Sequence, residues 1–267
     1  MSSTAYNSPV DIATTLQTTL WHLPLKSSTS EFATSAPTFI TIHHLRLDTA
    51  RKFPGLLDSL YKEFTSDVAS GRSLFDTQTA SHDMFEAYFF AESLFLGIAH
   101  NSIVFHWQGD ERSVEGMLMG VAAVSVEDAR ASRPWEECLA GFYSVRPNFP
   151  GRSSHIAGAA IIISTKHRQQ GIGHVLARSM LYYAPRLGYS AGLANLVFAN
   201  NPASIRLWES LHCTKIARIP RVGRFSRADG QGDEYVDGFM FYKEFSESRK
   251  DSPWASMSKR ALTKASL

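Results

Sequence analysis

The chain has 267 residues, of which 44% are hydrophobic and 19% are charged, and its formal net charge is +2. This composition predicts a globular protein of one large or two small domains, because disordered chains have too few apolar side chains to form a core. So small an excess of positive charge argues against a nucleic-acid partner.

Neither a disulfide framework nor a membrane segment is expected. The only cysteines, Cys138 and Cys213, form no C-x-x-C pattern. The N-terminus has no basic residue before Lys26 and no apolar run typical of a secretory signal, and no apolar run approaches transmembrane length. The sequence therefore predicts a cytoplasmic protein, with the nucleus also open, and no membrane partner.

The predicted elements begin after a stretch that lacks regular patterning. Residues 1–37 are rich in Ser and Thr with three prolines, which predicts a loosely ordered arm. Alternation of apolar and polar residues predicts a strand within Thr38–Thr49, and helical spacing predicts helices over 50–69 and about 81–91.

An antiparallel meander is predicted next, because short apolar segments alternate with polar turns at Ser93–His100, Gly116–Val124 and Cys138–Val145. The β-branched run IAGAAIIIS, Ile156–Ser164, predicts a central strand that is buried on both faces.

Strands and helices alternate in the last third of the chain. A helix from Ile172 is expected to stop at Pro185, and a second helix follows Asn201, a typical N-cap residue. The accompanying strands are predicted at 191–199 and 238–245, and residues 246–267 form a polar tail.

The stretch RQQGIGHVLARS, Arg168–Ser179, opens the helix that follows the central strand. Glycine at 171 and 173 lets the backbone approach a ligand, and the helix N-terminus presents N–H groups and a positive dipole end to it. Arg168 adds a guanidinium suited to phosphate. The pattern matches neither a Walker loop nor G-x-G-x-x-G. It predicts a diphosphate site, although a glycine pair here is also typical of a plain tight turn.

Two segments carry a family resemblance. Residues 168–173, RQQGIG, resemble the [QR]-x-x-G-x-[GA] signature of the GNAT N-acetyltransferase superfamily, and NPASIRLWESLHC, Asn201–Cys213, resembles its N-x-x-A-x-x-x-Y-E-x-L-G-F segment. From about Leu139 onward, GFYSVRPNFPGRSSH, YAPRLGY and NLVFANNPAS resemble fungal acetyltransferases that act on azetidine-2-carboxylate and other proline analogues. The resemblance implies a GNAT-like α/β domain over residues 38–245, with a mixed, mainly antiparallel sheet flanked by helices and a splayed central parallel pair.

The resemblance also implies acetyl-CoA as co-substrate, a small amine as acceptor and a homodimer. Direct transfer is expected because no nucleophilic residue stands out to carry an acetyl group. The pyrophosphate would lie on the glycine loop, and the pantetheine arm would pair with backbone groups of the central strand. The residues implied for the cofactor are Ile161, Ile163, Arg168, Gln169, Gln170, Gly171, Ile172, Gly173, Asn201 and Ser204.

Two asparagines are implied in catalysis, Asn201 near the sulfur and Asn195, with Leu196, near the carboxylate and amine of the acceptor. From the residues alone, Asn201 suits a helix cap, and Asn195 in a run of strand formers indicates either a site or a bulge. Two residues depart from the expected patterns, Trp208 from that of the family and Gly158 from that of the branch. Trp208 occupies the position of the usual tyrosine, and Gly158 that of a further asparagine.

Other polar residues allow weaker hypotheses. His155 could act as a base and Tyr143 or Tyr182 as a donor, although such residues more often have structural roles. The pair His43-His44 lacks partners at metal-ligand spacing, so no metal is expected. The open alternatives are a secondary metabolite or a protein amine as acceptor, and a non-enzymatic acyl-CoA-binding module.

Overall fold

The computed structural model describes residues 15–23, 37–70, 80–102, 112–114, 117–226 and 232–245. These residues form one ten-stranded sheet with helices on both faces. The strands are β1 Thr19–His22, β2 Phe39–Leu45, β3 Ser93–His100, β4 Arg112–Val114, β5 Met117–Val121, β6 Leu139–Pro147, β7 Ile156–Ile163, β8 Ala191–Phe198, β9 Thr214–Ser226 and β10 Asp233–Glu244. The helices are α1 Leu47–Ala50, α2 Leu56–Ala69, α3 His82–Phe89, α4 Val126–Arg130, α5 Trp135–Cys138, α6 Ile172–Arg186 and α7 Pro202–Ser210.

The strand order is β4-β5-β1-β2-β3-β6-β7-β8-β10-β9. Every described neighbouring pair is antiparallel except β7 and β8, which are parallel. The predicted strand and helix order from residue 156 to residue 210 is confirmed. The three strands predicted before it are present and antiparallel to their neighbours, but they do not form a meander, because β5 pairs with β1 and β4 whereas β3 pairs with β2 and β6.

Alternating side chains divide the core between the two faces of the sheet. On β6, Tyr143 and Val145 pack in the cluster that contains α6, whereas Phe142 packs in the cluster that contains α2 and α3. The sheet face opposite α6 is therefore covered by α2 and α3, and both faces are buried at β6.

The interpretation of residues 1–37 as a loose arm is wrong for Thr19–His22, which form β1 between β2 and β5. Trp21 is fully buried, its indole N–H donates to Thr19 Oγ1 at 2.7 Å, and Thr19 Oγ1 lies 2.9 Å from Tyr183 Oη. A strand of four residues is stable here because both of its edges are paired. Hydroxyl groups, which are typical of loops, form hydrogen bonds inside the sheet at this strand. The remaining parts of the arm, and the tail 246–267, lie outside the described residues.

The prediction that β7 is buried on both faces is also wrong, since residues 158–161 are only partly buried. Their neighbour β8 pairs with β7 at its first two residues alone, so the rest of that edge is uncovered. The helix predicted over 50–69 begins only at Leu56, because Pro54 and Gly55 (φ +74°) separate it from α1, which ends at Ala50.

Two further predictions about the second half of the chain need correction. Pro185 lies inside the last turn of α6 instead of ending the helix before it. The long edge strand β9 was not predicted, because most of its side chains are exposed and so show no apolar alternation.

Candidate functional site

The parallel strands β7 and β8 pair at only two positions, Ile156 with Ala191 and Ala157 with Gly192. Beyond these positions no described pairing joins them. The carboxyl ends of parallel strands meet at one edge of a sheet, so α6 and α7, which follow β7 and β8, begin at the same edge. The arrangement leaves a cleft between the two strands with two helix N-termini at its end.

The backbone of β7 points alternately toward β6 and toward this cleft. Ser164 N donates to Ala140 O at 3.1 Å, which places the even-numbered residues of β7 in hydrogen-bonded pairs with β6. Alternation then directs the N–H and C=O groups of Ile161 and Ile163 toward the cleft. An extended ligand lying there can pair with these groups like an added strand.

The loop Arg168–Gly173 turns the chain from β7 into α6. Gly171 is the N-cap in a left-handed conformation (φ +85°), and Gln169 also has a positive φ of +62°. The first described bond of the helix runs from His174 N to Gly171 O at 3.0 Å. The N–H groups of Ile172 and Gly173 therefore have no intrahelical acceptor, and they lie at the helix N-terminus at the end of the cleft.

Both glycines of the loop have a structural reason. Gly171 has a φ that side chains rarely adopt, and a Cβ on Gly173 would lie 2.9 Å from Ile163 Cδ1 on β7. The tight-turn interpretation is therefore confirmed, and it is compatible with a ligand because the same turn exposes the helix N-terminus.

Two carboxylates of α2 contact this loop and the residues just before it. Glu63 accepts from Thr165 N at 2.8 Å and from Ser164 Oγ at 2.9 Å. Asp67 Oδ1 lies 3.4 Å from Arg168 Nη2, and the arginine side chain is 38% exposed. A phosphate bound at the loop would compete with Asp67 for Arg168. No local sequence signal indicated these carboxylates.

The side chain of Gln170 belongs to the turn itself. Its Oε1 lies 3.2 Å from Nδ1 of the buried His167, whose Nε2 lies 3.4 Å from Glu137 O. The contacts of its side-chain oxygen leave its backbone and its Nε2 group for a ligand.

Asn201 caps α7, as predicted, with Oδ1 accepting from Ser204 N at 3.2 Å. The Nδ2 group of Asn201 has no partner among the described residues and is available for a ligand at the end of the cleft where α6 and α7 begin. The cap and the predicted catalytic role therefore use different atoms. The backbone N–H of Ser204 is taken by the cap, which leaves its hydroxyl for the predicted cofactor contact.

Asn195 and Leu196 form a bulge in β8. The register with β10 shifts between Phe239 and Phe241, so both residues oppose Met240 alone. Leu196 has a φ of +52°, a conformation that is unfavourable for a leucine and that is typical of functional sites. The bulge, one of the two interpretations of Asn195, is confirmed.

The bulge brings Asn195 to a residue that the sequence analysis missed. Asn195 Nδ2 donates to Asn148 Oδ1 at 2.7 Å. A Cβ on Gly158 would lie 3.2 Å from that same Oδ1 and 3.4 Å from Asn148 Cβ. The space beside Gly158, where the resemblance expects an amide, thus holds the amide of Asn148. The available signal was a polar residue at a strand end inside the segment GFYSVRPNFPGRSSH.

The weaker candidates lie away from the cleft. Tyr143 is fully buried in the core that contains α6, where its Oη accepts from Ser179 Oγ at 2.9 Å, so its role is structural and its hydroxyl is not exposed to a substrate. Tyr182 packs under the Arg186 guanidinium at 3.5 Å. His155 Nδ1 lies 3.1 Å from the backbone oxygen of Arg152.

The histidines of β2 are structural. His43 Nε2 and His100 Nε2 both lie 2.9 Å from Thr41 Oγ1, and Leu16 N donates to His44 Nδ1 at 3.1 Å. Within the described ranges, no three His, Cys, Asp or Glu side chains are placed to hold a metal ion. None of the described helices combines the length and the apolar character needed to cross a membrane.

Comparison with known proteins places this architecture in a family. Residues 75–212, about half of the chain, match the acetyltransferase (GNAT) family. The chain belongs to this family. The resemblance predicted an open, mainly antiparallel sheet with a splayed parallel pair, and this prediction is confirmed.

One curated relative is similar in sequence. The chain is 43% identical over 113 residues to the N-acetyltransferase aca1 of Schizosaccharomyces pombe, which covers 42% of this chain and 54% of that protein. The aligned part thus spans about half the length of this relative.

Two solved structures share the fold at low identity. A GCN5-related N-acetyltransferase from Kribbella flavida is 17% identical, with a TM-score of 0.53 over 76% of this chain and 97% of that chain. An acetyltransferase from Salmonella typhimurium, determined with its cofactor acetyl-CoA, is 16% identical, with a TM-score of 0.51 over 77% of this chain and 94% of that chain.

Proposed function

We propose that the protein is an acetyl-CoA-dependent N-acetyltransferase that acts on a small amine, of the proline-analogue or related amino acid class. The observation that carries the proposal is the cleft between β7 and β8, into which backbone groups of β7 point and which ends at the glycine loop of α6. The acetyl-CoA of the Salmonella structure, which has this fold, supports the same co-substrate here.

The residues around the cleft fit a nucleotide thioester. The first-turn N–H groups of α6, the positive end of its dipole and the guanidinium of Arg168 suit a diphosphate. The cleft-facing backbone of Ile161 and Ile163 suits the amides of a pantetheine arm, and one N–H there can polarise a thioester carbonyl.

Direct transfer requires a neutral amine in line with the thioester carbonyl. The C–N bond forms as the C–S bond breaks, the amine loses one proton, and the departing thiolate gains one. Asn201 Nδ2 can donate a hydrogen bond to the developing thiolate. The Trp208 indole N–H can also donate a hydrogen bond, but it is not a useful acid and so cannot protonate the thiolate as a tyrosine could. Asn195 and Leu196, at the bulge, would orient the acceptor.

The acceptor class rests on the resemblance from Leu139 onward to fungal acetyltransferases of proline analogues. The same resemblance supports a homodimer. We also propose that the protein is cytoplasmic. Its acetyltransferase domain would span residues 38–245 and also include β1. The alternative acceptors are a secondary metabolite and a protein amine.

A second candidate, a non-enzymatic acyl-CoA-binding module, is favoured by Trp208 in place of a titratable tyrosine. One experiment separates the candidates: release of the CoA thiol is measured with azetidine-2-carboxylate, hydroxyproline, polyamines and histone peptides. We expect release with the small imino acids. Release with peptides or polyamines alone would change the acceptor class, and tight acetyl-CoA binding without any turnover would favour the binding module.

The direct mechanism has its own test, because no nucleophilic side chain stands out to carry an acetyl group. Enzyme is mixed with labelled acetyl-CoA in the absence of an amine, and the protein is then analysed for bound label. We expect none, and a stable acetyl-enzyme would contradict direct transfer.

A further inference from the structure

Three polar residues of β6 and its end lie on the sheet face opposite α6. Ser144, Arg146 and Asn148 alternate along the chain with residues that face α6, such as Val145. Ser144 Oγ and Asn148 Nδ2 are both buried without a hydrogen-bond partner among the described residues. Because a buried donor without an acceptor destabilises the fold, this row indicates a binding site for a polar ligand group.

Asn148 is held in one orientation. Its Oδ1 accepts from Asn195 Nδ2 at 2.7 Å, across the space that Gly158 leaves open. The Nδ2 group of Asn148 is therefore the atom that remains for a ligand, and it can only donate. Its complement is an oxygen acceptor.

Arg146 supplies a positive charge beside this donor. It pairs with Gly158 in the register of β6 and β7, and its guanidinium carbon lies 3.9 Å from the centre of the Tyr88 ring. In the part of the chain that the structure describes, no carboxylate lies within ion-pair distance of Arg146. A partly buried cation without a counter-ion favours an anionic ligand group.

We propose that Arg146 and Asn148 bind the carboxylate of the acceptor, so that the acceptor is an α-amino or α-imino acid and not a simple amine. The guanidinium and the Asn148 amide would donate to the carboxylate oxygens, and Asn195 keeps the Asn148 amide in place as a positioning residue. The inference rests on the proposed function, since it locates the acceptor on the face opposite α6, beside Gly158, where β7 and β8 begin to separate and at the end of the cleft away from the glycine loop.

The test uses two ligands that differ only in the carboxylate, azetidine-2-carboxylate and azetidine, together with a panel of amino acids and their decarboxylated amines. Each is titrated into the CoA-saturated protein by calorimetry, and each is assayed for acetyl transfer. We expect the acid of at least one pair to bind about tenfold more tightly than its amine, or better.

Substitutions then assign the contact. Asn148→Asp keeps the acceptor for Asn195 but replaces the donor with a negative charge, and Arg146→Gln removes the cation. Each should weaken binding of the acid about tenfold or more without changing binding of the amine, and Arg146→Lys should restore part of the loss. Asn101→Asp, at an exposed turn, and Arg186→Gln, which has a similar ring contact on Tyr182, are the matched controls.

The outcomes separate this inference from the proposed function. Selective binding of the acid without acetyl transfer would leave the carboxylate site standing and overturn the proposed activity. Equal binding of acid and amine throughout the panel, or no loss in Asn148→Asp and Arg146→Gln, would overturn the carboxylate site even if acetyl transfer proceeds.

Discussion

Gly171 and Gly188 lie at opposite ends of α6 with almost the same backbone angle, φ +85° and +84°. Alanine at either position is strained by about 1–2 kcal/mol, so Gly171→Ala and Gly188→Ala should lower the melting temperature to a similar extent. Only Gly171→Ala should weaken acetyl-CoA binding, because only Gly171 belongs to the predicted diphosphate loop. Thermal denaturation and calorimetric titration measure the two effects. Unchanged affinity in folded Gly171→Ala would contradict the loop assignment.

Asn201 allows its cap to be separated from its predicted catalytic role. Asn201→Ser retains a hydroxyl that can cap α7 but lacks the amide N–H, whereas Asn201→Ala lacks both. We expect the serine variant to keep its stability within a few tenths of a kcal/mol and the alanine variant to lose about 1 kcal/mol. Both should lower kcat. Full turnover in Asn201→Ser would show that Asn201 is a cap and nothing more.

A phosphate bound at the loop would compete with Asp67 for Arg168. Asp67→Asn should therefore tighten acetyl-CoA binding about two- to fivefold at low salt, a gain that high salt should remove. Asp58→Asn, on the same helix at an exposed position, changes the net charge equally and is the control. Equal gains in the two variants would assign the effect to net charge and not to the ion pair.

Three histidines couple the sheet to pH. Burial lowers the pKa of His43 to about 3, of His44 to about 4 and of His100 to about 4. All three are neutral in the folded protein, whereas the unfolded chain binds protons below about pH 6.5. Their contribution to stability is thus complete above that pH and is lost as the pH falls toward 4.

The loss can reach about 2 kcal/mol for each histidine at pH 5. Urea unfolding at pH 7, 6 and 5 measures it. We expect His43→Gln to flatten the dependence by nearly one proton, with the same change at the exposed His212 as control. A free energy of unfolding that is constant from pH 7 to 5 would contradict this account.

Local patterns predicted the part of the fold that surrounds the cleft. These patterns involve residues only a few positions apart, so the sequence alone is sufficient to predict them. They are glycines 171 and 173, the Asn201 cap, the apolar spacing of α6 and the apolar run of β7. The bulge at Asn195 was also readable, since asparagine is unfavourable inside a strand.

Contacts between distant residues could not be read in this way. Asp67 and Arg168 are 101 residues apart, and Asn148 and Asn195 are 47 apart. Each pair meets only because the strand order brings α2 to the end of β7, or β6 next to the cleft. The edge strand β9 escaped prediction for a different reason, because an exposed strand needs no apolar alternation.

Strand β1 is the sole described link between the β4–β5 hairpin and the rest of the sheet. A shortened chain begun at residue 38 would keep the whole ligand cleft and yet uncover the side of β2, where buried Ile40 and Ile42 lie on an unpaired backbone edge. Such an edge recruits other chains. Truncated preparations should therefore precipitate or form oligomers, and attempts to isolate the catalytic half should retain the N-terminal segment.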